Sequence, residues 1–405
     1  MKKKKDILFL LQFFYPEYIS SATLPFDTAS RLADEGFSVD VLCGYPHEYT
    51  EEVKIPRKET VNNVNIRRVR YLQLDRKKAI GRIINYLSLT ISMFFRLFRM
   101  RKYKTIIVYS NPPILPFVAA IARKLFKCRL IFVAYDLYPE IALRTNSLSK
   151  DGIVTKLMNF INKKVYKNSS AVVTLSSEMK EYIIANRNID PKKVHVIPNW
   201  FKDEYQSEEN CKENTFASVV NGRFTVGYFG NMGVAQDMEP IKEAIKHYKD
   251  DPGVCFLLSG HGSKYLDIAN LIADENINNA YLYGFLHAQD YLDALHSSDC
   301  AVVSLEKGLT GLCVPSKTYG CMMQGLPIVA IMDESDVVRD VKKGAGYHIE
   351  GNSPSRLIEV IAEAKSNLDN CRMRGMVSRS IYSEIYTPDT CLEKYVRLVN
   401  DVLGK

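Results

Sequence analysis

The stretch Val314-Pro-Ser-Lys-Thr-Tyr-Gly320, continued by Cys321-Met-Met-Gln-Gly-Leu-Pro-Ile-Val-Ala330, contains a loop, a short helix and a buried strand. The helix is predicted to begin at Ser316, a residue type that often caps helices at this end. Gly325-Leu-Pro is a helix stop, and the apolar run after it is typical of a buried strand. Helix and strand therefore alternate here, and the same alternation recurs along the chain.

The first turn of this predicted helix has the features of an anion site. The first amides of a helix have no partners inside it, and Lys317 adds a full positive charge beside them. Ser316 and Lys317 therefore predict a diphosphate site made of a helix terminus and one lysine. An ordinary capped helix with its lysine in solvent is the alternative explanation.

The composition is that of a globular protein with more than one domain. The chain has 405 residues, 46% of them hydrophobic and 25% charged, which excludes a disordered or fibrous chain. This length is too great for one compact core and predicts two domains. The net charge is +8, and the basic excess falls in the first quarter, at residues 2–5, 76–78 and 96–104. We expect an anionic partner for the first domain, either membrane lipid or nucleic acid.

The cysteines and the amino terminus indicate the compartment. The nine cysteines are scattered singly, with no C-x-x-C pair, which favours reduced thiols in a cytosolic compartment over a zinc site or a disulfide framework. An apolar run at residues 7–14 follows a basic start and could mimic a signal peptide. The run is short and no small-residue cleavage site follows it before Tyr15-Pro-Glu, so a buried first strand is predicted instead.

The first half begins with a unit of strand, loop, helix and strand. The strands are predicted at residues 7–11 and 37–42, with a helix at 23–35 between them. Such units form parallel sheets, in which ligands lie at the carboxyl ends of the strands. The loop that carries Ser20 and Ser21 is therefore predicted to meet a ligand. No G-x-G-x-x-G occurs here, so a dinucleotide site has no support.

Four more strands are predicted in this half, at residues 105–109, 130–134, 171–175 and 194–200. Asp136 lies at the carboxyl end of the second of these. An aspartate in this place can orient a hydroxyl or accept its proton. A solvated turn aspartate is the alternative explanation.

Residues 80–104 combine an apolar segment with a basic end. The apolar part, residues 83–95, is shorter than the roughly 20 residues of a bilayer span, so it is not predicted to cross a membrane. The pattern fits partial insertion at an anionic membrane surface, and a core helix with a solvated basic end is the alternative. The basic residues are Arg96, Arg99, Arg101, Lys102 and Lys104.

The second half repeats the alternation of strand and helix. Residues 202–222 are polar and charged with little periodicity, as expected of an interdomain linker. Turns with glycine follow the next three strands, at Gly230-Asn-Met-Gly233, Gly260-His-Gly262 and Gly284. Glycine lets a backbone approach a phosphate or a base closely, so these turns outline a nucleotide pocket. The strands are predicted at residues 224–229, 254–259, 280–283, 300–305 and 328–332.

Together these motifs resemble the retaining glycosyltransferases of family 4, which have the GT-B fold of two Rossmann-like domains facing each other across a cleft. The resemblance covers nearly the whole chain, and its specific part is the stretch at 315–330. It looks most like the branch that builds bacterial surface polysaccharides, similar to the N-acetylfucosaminyl transferase-like and colanic-acid-type enzymes. The other matching motifs are Ser110-Asn-Pro-Pro113, Asp136-Leu-Tyr-Pro-Glu140, Val196-Ile-Pro-Asn199, Tyr228-Phe-Gly-Asn-Met-Gly233, Gly260-His-Gly262 and Tyr283-Gly-Phe285.

The chain departs from family 4 at two kinds of position. The wider family has two glutamates eight positions apart before the Gly-Leu-Pro, where this chain has Leu312 and Gly320. The family also tends to carry Arg and Lys in the turn after the first strand of the second domain, where this chain has Asn231 and Gln236. Binding of the donor diphosphate is then expected to depend more strongly on Lys317.

The resemblance implies a retaining transferase that moves a sugar, expected to be N-acetylated, from a nucleoside diphosphate, expected to be UDP, to a lipid-linked saccharide. The expected pathway is synthesis of a surface polysaccharide such as capsule or O-antigen. We expect a cytoplasmic protein held peripherally at the inner face of the cytoplasmic membrane by residues 80–104. No cofactor is expected, since the sugar nucleotide is a substrate, and no metal, since no Asp-x-Asp triplet stands out. Nucleic acid is not an expected partner, because the basic residues lack interleaved aromatic residues.

The resemblance also implies that the second domain binds the sugar donor and the first binds the acceptor. Asp136 is predicted at the reacting centre, with the departing phosphate as the alternative base, and Lys317 is predicted to stabilise the leaving diphosphate. His195 and His261 are the alternative candidates for the reacting centre, but each is more readily explained by a structural hydrogen bond. Ser20 and Ser21 are predicted to contact donor or acceptor. The predicted donor-binding residues are Gly230, Asn231, Gly233, Gly260, Gly262, Gly284, Phe285, Pro315, Ser316, Lys317, Tyr319 and Gly320.

Two other functions fit the sequence. The missing glutamates suit a non-catalytic sugar-nucleotide-binding subunit, which would release no nucleoside diphosphate. A sugar-nucleotide epimerase with the GT-B fold would form product without an acceptor. The predicted domain boundaries are the same for all of these functions. Residues 1–201 and 223–380 form the two domains, residues 202–222 form the linker, and a helical segment at 381–405 returns to the first domain.

Overall fold

The computed structural model describes residues 4–46, 50, 54–75, 79–205, 207 and 214–404. These residues form two compact units, each with its own sheet, and the predicted class of two α/β Rossmann-like domains is confirmed. The N-terminal unit comprises Met1–Pro198, Gly311–Cys313 and Cys391–Lys405, and the C-terminal unit comprises Asn199–Thr310 and Val314–Thr390.

The sheet of the N-terminal unit has eight strands in the part of the chain that is described. They are β1 (Lys5–Leu10), β2 (Val39–Gly44), β3 (Lys58–Val61), β4 (Val64–Val69), β5 (Tyr103–Tyr109), β6 (Arg129–Ala134), β7 (Ala171–Thr174) and β8 (Val194–Val196). Their order is β3-β4-β2-β1-β5-β6-β7-β8. All neighbours are parallel except β3 and β4. Strands β5 to β7 are almost entirely buried, as expected of parallel strands with both faces covered.

The hairpin of β3 and β4 was not predicted from the sequence. Asn62 and Asn63 connect the two strands, with φ angles of 47° and 60°. Asparagine tolerates this left-handed region better than most residues, and two such residues in a row form a tight hairpin turn. The signal was therefore present in the sequence as an asparagine pair between Val61 and Val64.

The helices of the N-terminal unit connect these strands. They are α1 (Ser20–Asp34), α2 (Ala79–Phe94), α3 (Pro116–Phe126), α4 (Glu140–Arg144), α5 (Ile153–Asn168) and α6 (Ser177–Arg187), with 3₁₀ helices at Leu97–Lys102 and Pro191–Lys193. The first helix begins at Ser20, not near residue 23 as predicted. The amides of Ala22 and Thr23 already donate to the carbonyl of Ile19, so the helical turn includes Ser20 and Ser21. These two serines are helix residues and not loop residues.

The sheet of the C-terminal unit is entirely parallel within the described residues. Its strands are β9 (Phe224–Asn231), β10 (Val254–His261), β11 (Ala280–Tyr283), β12 (Cys300–Ser304), β13 (Ile328–Ile331) and β14 (Gly346–Ile349), in the order β11-β10-β9-β12-β13-β14. One face of this sheet packs on two helices, Glu239–His247 and Pro354–Ser366, through a core that includes Phe256, Ile241 and Leu357. The helices are α7 (Ala217–Val220), α8 (Glu239–His247), α9 (Tyr265–Asp274), α10 (Ala288–His296), α11 (Lys317–Gln324), α12 (Asp336–Asp340), α13 (Pro354–Ser366) and α14 (Leu368–Ile381), with π-type turns at Val341–Ala345 and Tyr382–Tyr386.

Part of the predicted linker belongs to the C-terminal unit. Phe216 is 3% exposed, and its ring centroid lies 5.2 Å from that of Tyr283. The amide of Thr215 donates to the carboxylate of Asp293 at 3.1 Å. The end of the segment at 202–222 is therefore packed onto this unit, because an aromatic residue in it finds an apolar neighbour that composition alone did not reveal.

The last helix, α15 (Pro388–Leu403), joins the N-terminal unit from Cys391 onwards. Tyr395 is 2% exposed, and a carboxylate oxygen of Glu393 lies 3.5 Å from the guanidinium of Arg31 on α1. The predicted return of the C-terminal helix to the first domain is thus observed. None of the described helices combines the length and the apolar composition that a membrane span requires.

Candidate functional site

Lys317 is the first residue of α11 in the C-terminal unit, and its ammonium group is isolated. The Nζ atom is buried, lies 3.5 Å from the centroid of the Tyr228 ring, and has no hydrogen-bond partner among the described residues. An aromatic face attracts a cation but does not neutralise its charge. Burial therefore lowers the pKa of Lys317 to about 7.

The backbone around Lys317 differs from the prediction at Ser316. Ser316 occupies the cap position, but its side chain makes no capping hydrogen bond. The hydroxyl of Thr318 instead donates to the carbonyl of Pro315 at 2.8 Å, and the amide of Thr318 donates to the same carbonyl at 3.1 Å. The Thr318 side chain holds the turn, so the Ser316 hydroxyl is not committed to the helix.

Lys317 lies against the carboxyl end of β9. A Cβ atom built on Gly230 would come 3.5 Å from the Lys317 Cδ atom. Gly230 and Asn231 are the last residues of β9, and Gly260 is inside β10, whereas the sequence predicted turns at these positions. The strands pair in register through Gly230 and Gly260, and a Cβ on Gly260 would approach the Gly230 carbonyl oxygen to 1.8 Å. Glycine at 260 thus lets the two strands continue side by side to this edge.

Asn231 lies between the two glycine-bearing turns. Its side chain is exposed, and Cβ atoms on Gly233 or Gly262 would come within 3 Å of its amide group, at 2.9 and 2.7 Å. The amide of Met232 donates to the His261 carbonyl at 2.7 Å and fixes one turn against the other. The exposed side-chain amide of Asn231 therefore lies beside closely packed backbone, at the end of the strand that Lys317 contacts.

The ion pair of Lys264 and Glu306 was not predicted. The Lys264 Nζ atom lies 2.6 Å from a Glu306 carboxylate oxygen and 2.6 Å from the carbonyl of Gln236. It places a cation beside the turn in which the family's usual Arg and Lys are missing. The available signal was Glu306, an acidic residue close after the end of β12.

The space beside Gly320 is filled by an aromatic residue. A Cβ on Gly320 would lie 2.5 Å from the hydroxyl oxygen of Tyr291, whose ring centroid is 6.0 Å from that of Phe229. A glutamate at 320 would therefore require Tyr291 to move. The other missing glutamate position, Leu312, belongs to the N-terminal unit, where its carbonyl accepts a hydrogen bond from the Leu137 amide at 2.9 Å.

Other predicted donor-binding residues differ in what they expose. Tyr319 is 2% exposed and its ring centroid is 4.6 Å from that of Tyr386, so it is a packing residue. Phe285 is 45% exposed and its ring lies 5.7 Å from that of His261. The carbonyl of Gly284 accepts a hydrogen bond from the Ser259 hydroxyl at 2.7 Å, which fixes the turn before Phe285. Among the predicted donor-binding residues, Phe285 therefore has an exposed apolar ring.

In the N-terminal unit, Asp136 follows β6 at its carboxyl end. The Ser110 hydroxyl oxygen accepts hydrogen bonds from the amides of Tyr135 and Asp136, at 3.0 and 3.3 Å, and so fixes this turn. The Asp136 side chain is partly buried, and burial raises its pKa to about 6. A carboxyl group with such a pKa exchanges a proton close to neutral pH.

Ser20 and Ser21 lie at the same edge of this sheet as Asp136. They begin α1 after β1, and β1 is separated from β6 only by β5. His195 is inside β8 and is partly buried, and burial lowers its pKa. The described residues contain no group of three or more His, Cys, Asp or Glu side chains that could hold a metal ion.

Comparisons with known proteins find similar glycosyltransferases. Residues 26–200 match the family described as "Glycosyl transferase 4-like domain". The chain is 26% identical over 314 residues to the probable glycosyltransferase WbjE of Pseudomonas aeruginosa. The aligned residues make up 76% of this chain and 77% of the relative. It is 24% identical over 257 residues to the putative colanic acid biosynthesis glycosyl transferase WcaI of Escherichia coli strain K12, over 61% of this chain and 62% of the relative.

A solved structure shares the fold over the whole chain. Anabaena Alr3699/HepE, crystallised in complex with UDP and glucose, superposes with a TM-score of 0.74 at 14% identity, over 98% of this chain and 100% of that chain. At this identity the likeness shows the fold alone, which is GT-B. The matching domain and the related sequences indicate a glycosyltransferase, the likeness shows its GT-B fold, and residues 26–200 are the part of the chain that matches a glycosyl transferase 4-like domain.

Proposed function

We propose that this glycosyltransferase moves a sugar, expected to be N-acetylated, from a UDP-sugar to a lipid-linked saccharide, with retention at the anomeric carbon, during synthesis of a surface polysaccharide. The observation that carries the proposal is the buried ammonium of Lys317, which has no hydrogen-bond partner in the described part of the chain. A donor with UDP is supported by the likeness to a fold that was crystallised with UDP and glucose.

A buried cation without an anion destabilises the folded protein unless a ligand brings the opposite charge. The Lys317 Nζ atom is held on the Tyr228 ring at 3.5 Å, close to the carboxyl ends of β9 and β10. A diphosphate placed there would supply the missing acceptors. Because the diphosphate is also the leaving group, the same ammonium would stabilise the charge that develops as the glycosidic bond to the donor breaks.

Asp136 is the proposed acceptor-side group of the N-terminal unit. Its pKa of about 6 suits a carboxylate that orients a hydroxyl of the acceptor or receives its proton. In a retaining reaction the departing phosphate is the alternative base. The anomeric configuration of the product, measured by NMR, tests the proposed retention directly, and an inverted product would contradict it.

The test of the diphosphate site is Lys317→Ala. We expect transfer, followed as UDP release in the presence of an acceptor extract, to fall by about 10²-fold or more, as when a single donor to a developing charge is removed. Lys342→Ala is the matched control, because Lys342 is an exposed lysine of the same unit that pairs with Glu334. Transfer near the wild-type rate in Lys317→Ala would remove this residue from the mechanism.

The proposed contact with the acceptor's membrane rests on α2. Its buried face carries Asn85, Leu89 and Met93, while its opposite face is apolar and yet exposed to solvent. We name this exposed face, with its continuation in the following 3₁₀ helix, the apolar stripe. A helix with such a face at a basic end is typical of one that lies in the interface of an anionic membrane. The stripe consists of Ile80, Ile83, Leu87, Ile91, Phe94, Phe95 and Phe98.

Peripheral attachment at the inner face of the cytoplasmic membrane is tested with vesicles. We expect a variant with Arg96, Arg99 and Arg101 changed to Glu to lose most co-sedimentation with anionic vesicles, since each basic residue near the surface contributes about 1 kcal/mol. Wild-type protein with neutral vesicles serves as the control. Unchanged binding of the variant to anionic vesicles would contradict the proposed attachment.

A further inference from the structure

A basic pocket of about 410 Å³ lies in the N-terminal unit, apart from the residues discussed above. No acidic side chain lines it among the described residues, and the rest of its lining is Asn168, Ser169 and Ser170. We name it the basic pocket. Its six cationic residues are Arg123, Lys124, Lys127, Arg129, Lys167 and Lys193.

The basic pocket is at the amino edge of the sheet. Lys167 is in the last turn of α5, Arg129 is the first residue of β6, and Lys193 directly precedes β8. Because these strands are parallel, their amino ends share one edge, opposite the carboxyl edge where Asp136 lies. The basic pocket is therefore separate from the proposed site of sugar transfer.

Its charges are not compensated by the described part of the protein. Arg123 donates to the Cys128 carbonyl at 2.9 Å, but none of the six cations forms an ion pair with a described residue. The carboxyl ends of α3 and α5 favour cations in their last turns, which accounts for four of the six. Arg129 and Lys193 lie instead at the starts of strands and have no such explanation. Six like charges around one cavity repel each other, so anionic groups would bind there favourably.

The basic pocket is continuous with the apolar stripe. Phe126, at the end of α3, packs on Phe98 of the stripe with ring centroids 6.0 Å apart. Leu125 is 56% exposed and Phe98 is 71% exposed. An apolar surface thus borders a cavity lined with cations, and a phospholipid has the matching chemistry of acyl chains attached to a phosphate.

We propose that the basic pocket binds the phosphate headgroup of an anionic phospholipid in the membrane on which α2 lies. This inference rests on the membrane attachment in the proposed function and adds a specific lipid site to it. The headgroup neutralises the cations of α3, α5 and the strand starts, while the neighbouring apolar stripe contacts the acyl region. Anionic lipid then sets the orientation of the N-terminal unit on the bilayer.

The experiment compares two charge-matched variants of the full chain. Lys167→Gln with Lys193→Gln removes two cations of the basic pocket. Lys249→Gln with Lys342→Gln removes two exposed lysines of the C-terminal unit, which contributes no residue to the basic pocket or the apolar stripe. With vesicles of phosphatidylglycerol and phosphatidylcholine, we expect the pocket variant to bind about tenfold more weakly or worse than the wild type. The control variant should change by less than about threefold, because neither lysine lines the basic pocket or belongs to the unit that carries the apolar stripe.

A conservative variant and a soluble anion complete the test. Lys167→Arg with Lys193→Arg should restore vesicle binding, because arginine keeps the charge and binds phosphate. Equal weakening in the pocket and control variants would overturn the proposal in favour of general charge attraction. Inorganic pyrophosphate is added to the Lys317→Ala variant, whose donor site is impaired. Pyrophosphate could stabilise this variant against heat only while Lys167 and Lys193 are present, and the loss of these two lysines could leave vesicle binding unchanged. The two results together would assign the basic pocket to a soluble phosphate and overturn the proposed lipid site.

The failure of this inference differs from the failure of the proposed function. If the wild type binds anionic vesicles and the change of Arg96, Arg99 and Arg101 abolishes binding while the pocket variant does not, only the headgroup site is rejected. If the wild type does not bind the vesicles, the membrane attachment and the headgroup site are both rejected. UDP release is expected to be unchanged in both glutamine variants with a soluble acceptor.

Discussion

Lys317 and the basic pocket are two cationic regions that we propose to bind phosphate by opposite means. The Lys317 ammonium is single, buried and held on the Tyr228 ring, so it gains strength from a low dielectric environment. The basic pocket has six cations, four of which are exposed lysines, so its attraction for an anion comes from the sum of many screened charges. In the proposed functions, the first arrangement would stabilise the charge that develops on the leaving diphosphate, and the second would attract an anionic membrane surface. The dependence of binding on salt and on pH, and the stability of the protein without ligand, distinguish the two regions.

Salt should give the largest difference. At about 1 M ionic strength the screening length is ~3 Å, compared with ~10 Å at 0.1 M, so exposed charges separated by more than that distance no longer cooperate. We expect vesicle binding by the wild type to fall by about 10²-fold over this range, measured by co-sedimentation. Binding of UDP, measured by calorimetry, should weaken by less than about tenfold, because the Lys317 ammonium is shielded from solvent. Parallel losses of both activities would show that Lys317 acts as a surface charge.

The pH dependence of UDP binding should give the next largest effect. The pKa of Lys317 is about 7 in the free protein, and a bound diphosphate raises it, so binding above pH 7 requires uptake of a proton. We expect UDP affinity to fall by up to about tenfold for each pH unit above 7, until the pKa of the complex is reached. Lys317→Arg provides the control, because its guanidinium stays charged and should remove this dependence. A wild-type affinity that stays constant between pH 7 and 9 would contradict the assignment.

The smallest expected effect concerns stability without ligand. The pKa of Lys317 is about 7 in the folded protein, compared with an ordinary value of 10.5, so the unfolded chain binds the proton more tightly. The penalty is complete below pH 7 and disappears as the pH rises towards 10.5. Lys317→Met should therefore raise the melting temperature by a few degrees at pH 7 while it lowers transfer by about 10²-fold or more, and the gain in melting temperature should shrink at pH 10. Calorimetric melting at the two pH values measures both quantities.

A Lys317→Met variant that is less stable than the wild type at pH 7 would contradict the destabilising effect assigned to the buried ammonium. It would mean that the contact with the Tyr228 ring outweighs the cost of burial. Lys342→Met is the control for the loss of a lysine, because Lys342 is exposed and its pair with Glu334 should contribute little to stability.

Most helices and strands were predicted from the sequence, whereas their ends and their contacts were predicted less well. The alternation of strand and helix predicted both sheets, while the hairpin at Asn62 and Asn63 was missed. The predicted turns at Gly230 and Gly260 were wrong because the two strands continue through these glycines, side by side. Strand pairing of this kind depends on the neighbour, and periodicity within one segment does not report it.

The candidate site shows the same division. Lys317 and its helix were predicted from the order of residues in one loop, and the assignment of the donor site to it is still a prediction. The Lys264 and Glu306 pair and the approach of Tyr291 to Gly320 were not predicted, because each joins segments that are distant in sequence. Tyr319 was predicted to contact the donor and is instead buried against Tyr386.

By itself the sequence determined two α/β halves, a lysine at the start of α11 and an apolar segment with a basic end. These are local properties, since they follow from the spacing of residues within one element. Only the tertiary structure decided that the Lys317 ammonium is buried on Tyr228, and that cations from α3, α5, β6 and the start of β8 surround one cavity. The physical reason is that burial and charge clustering arise from packing between elements, which brings together residues that no local pattern connects.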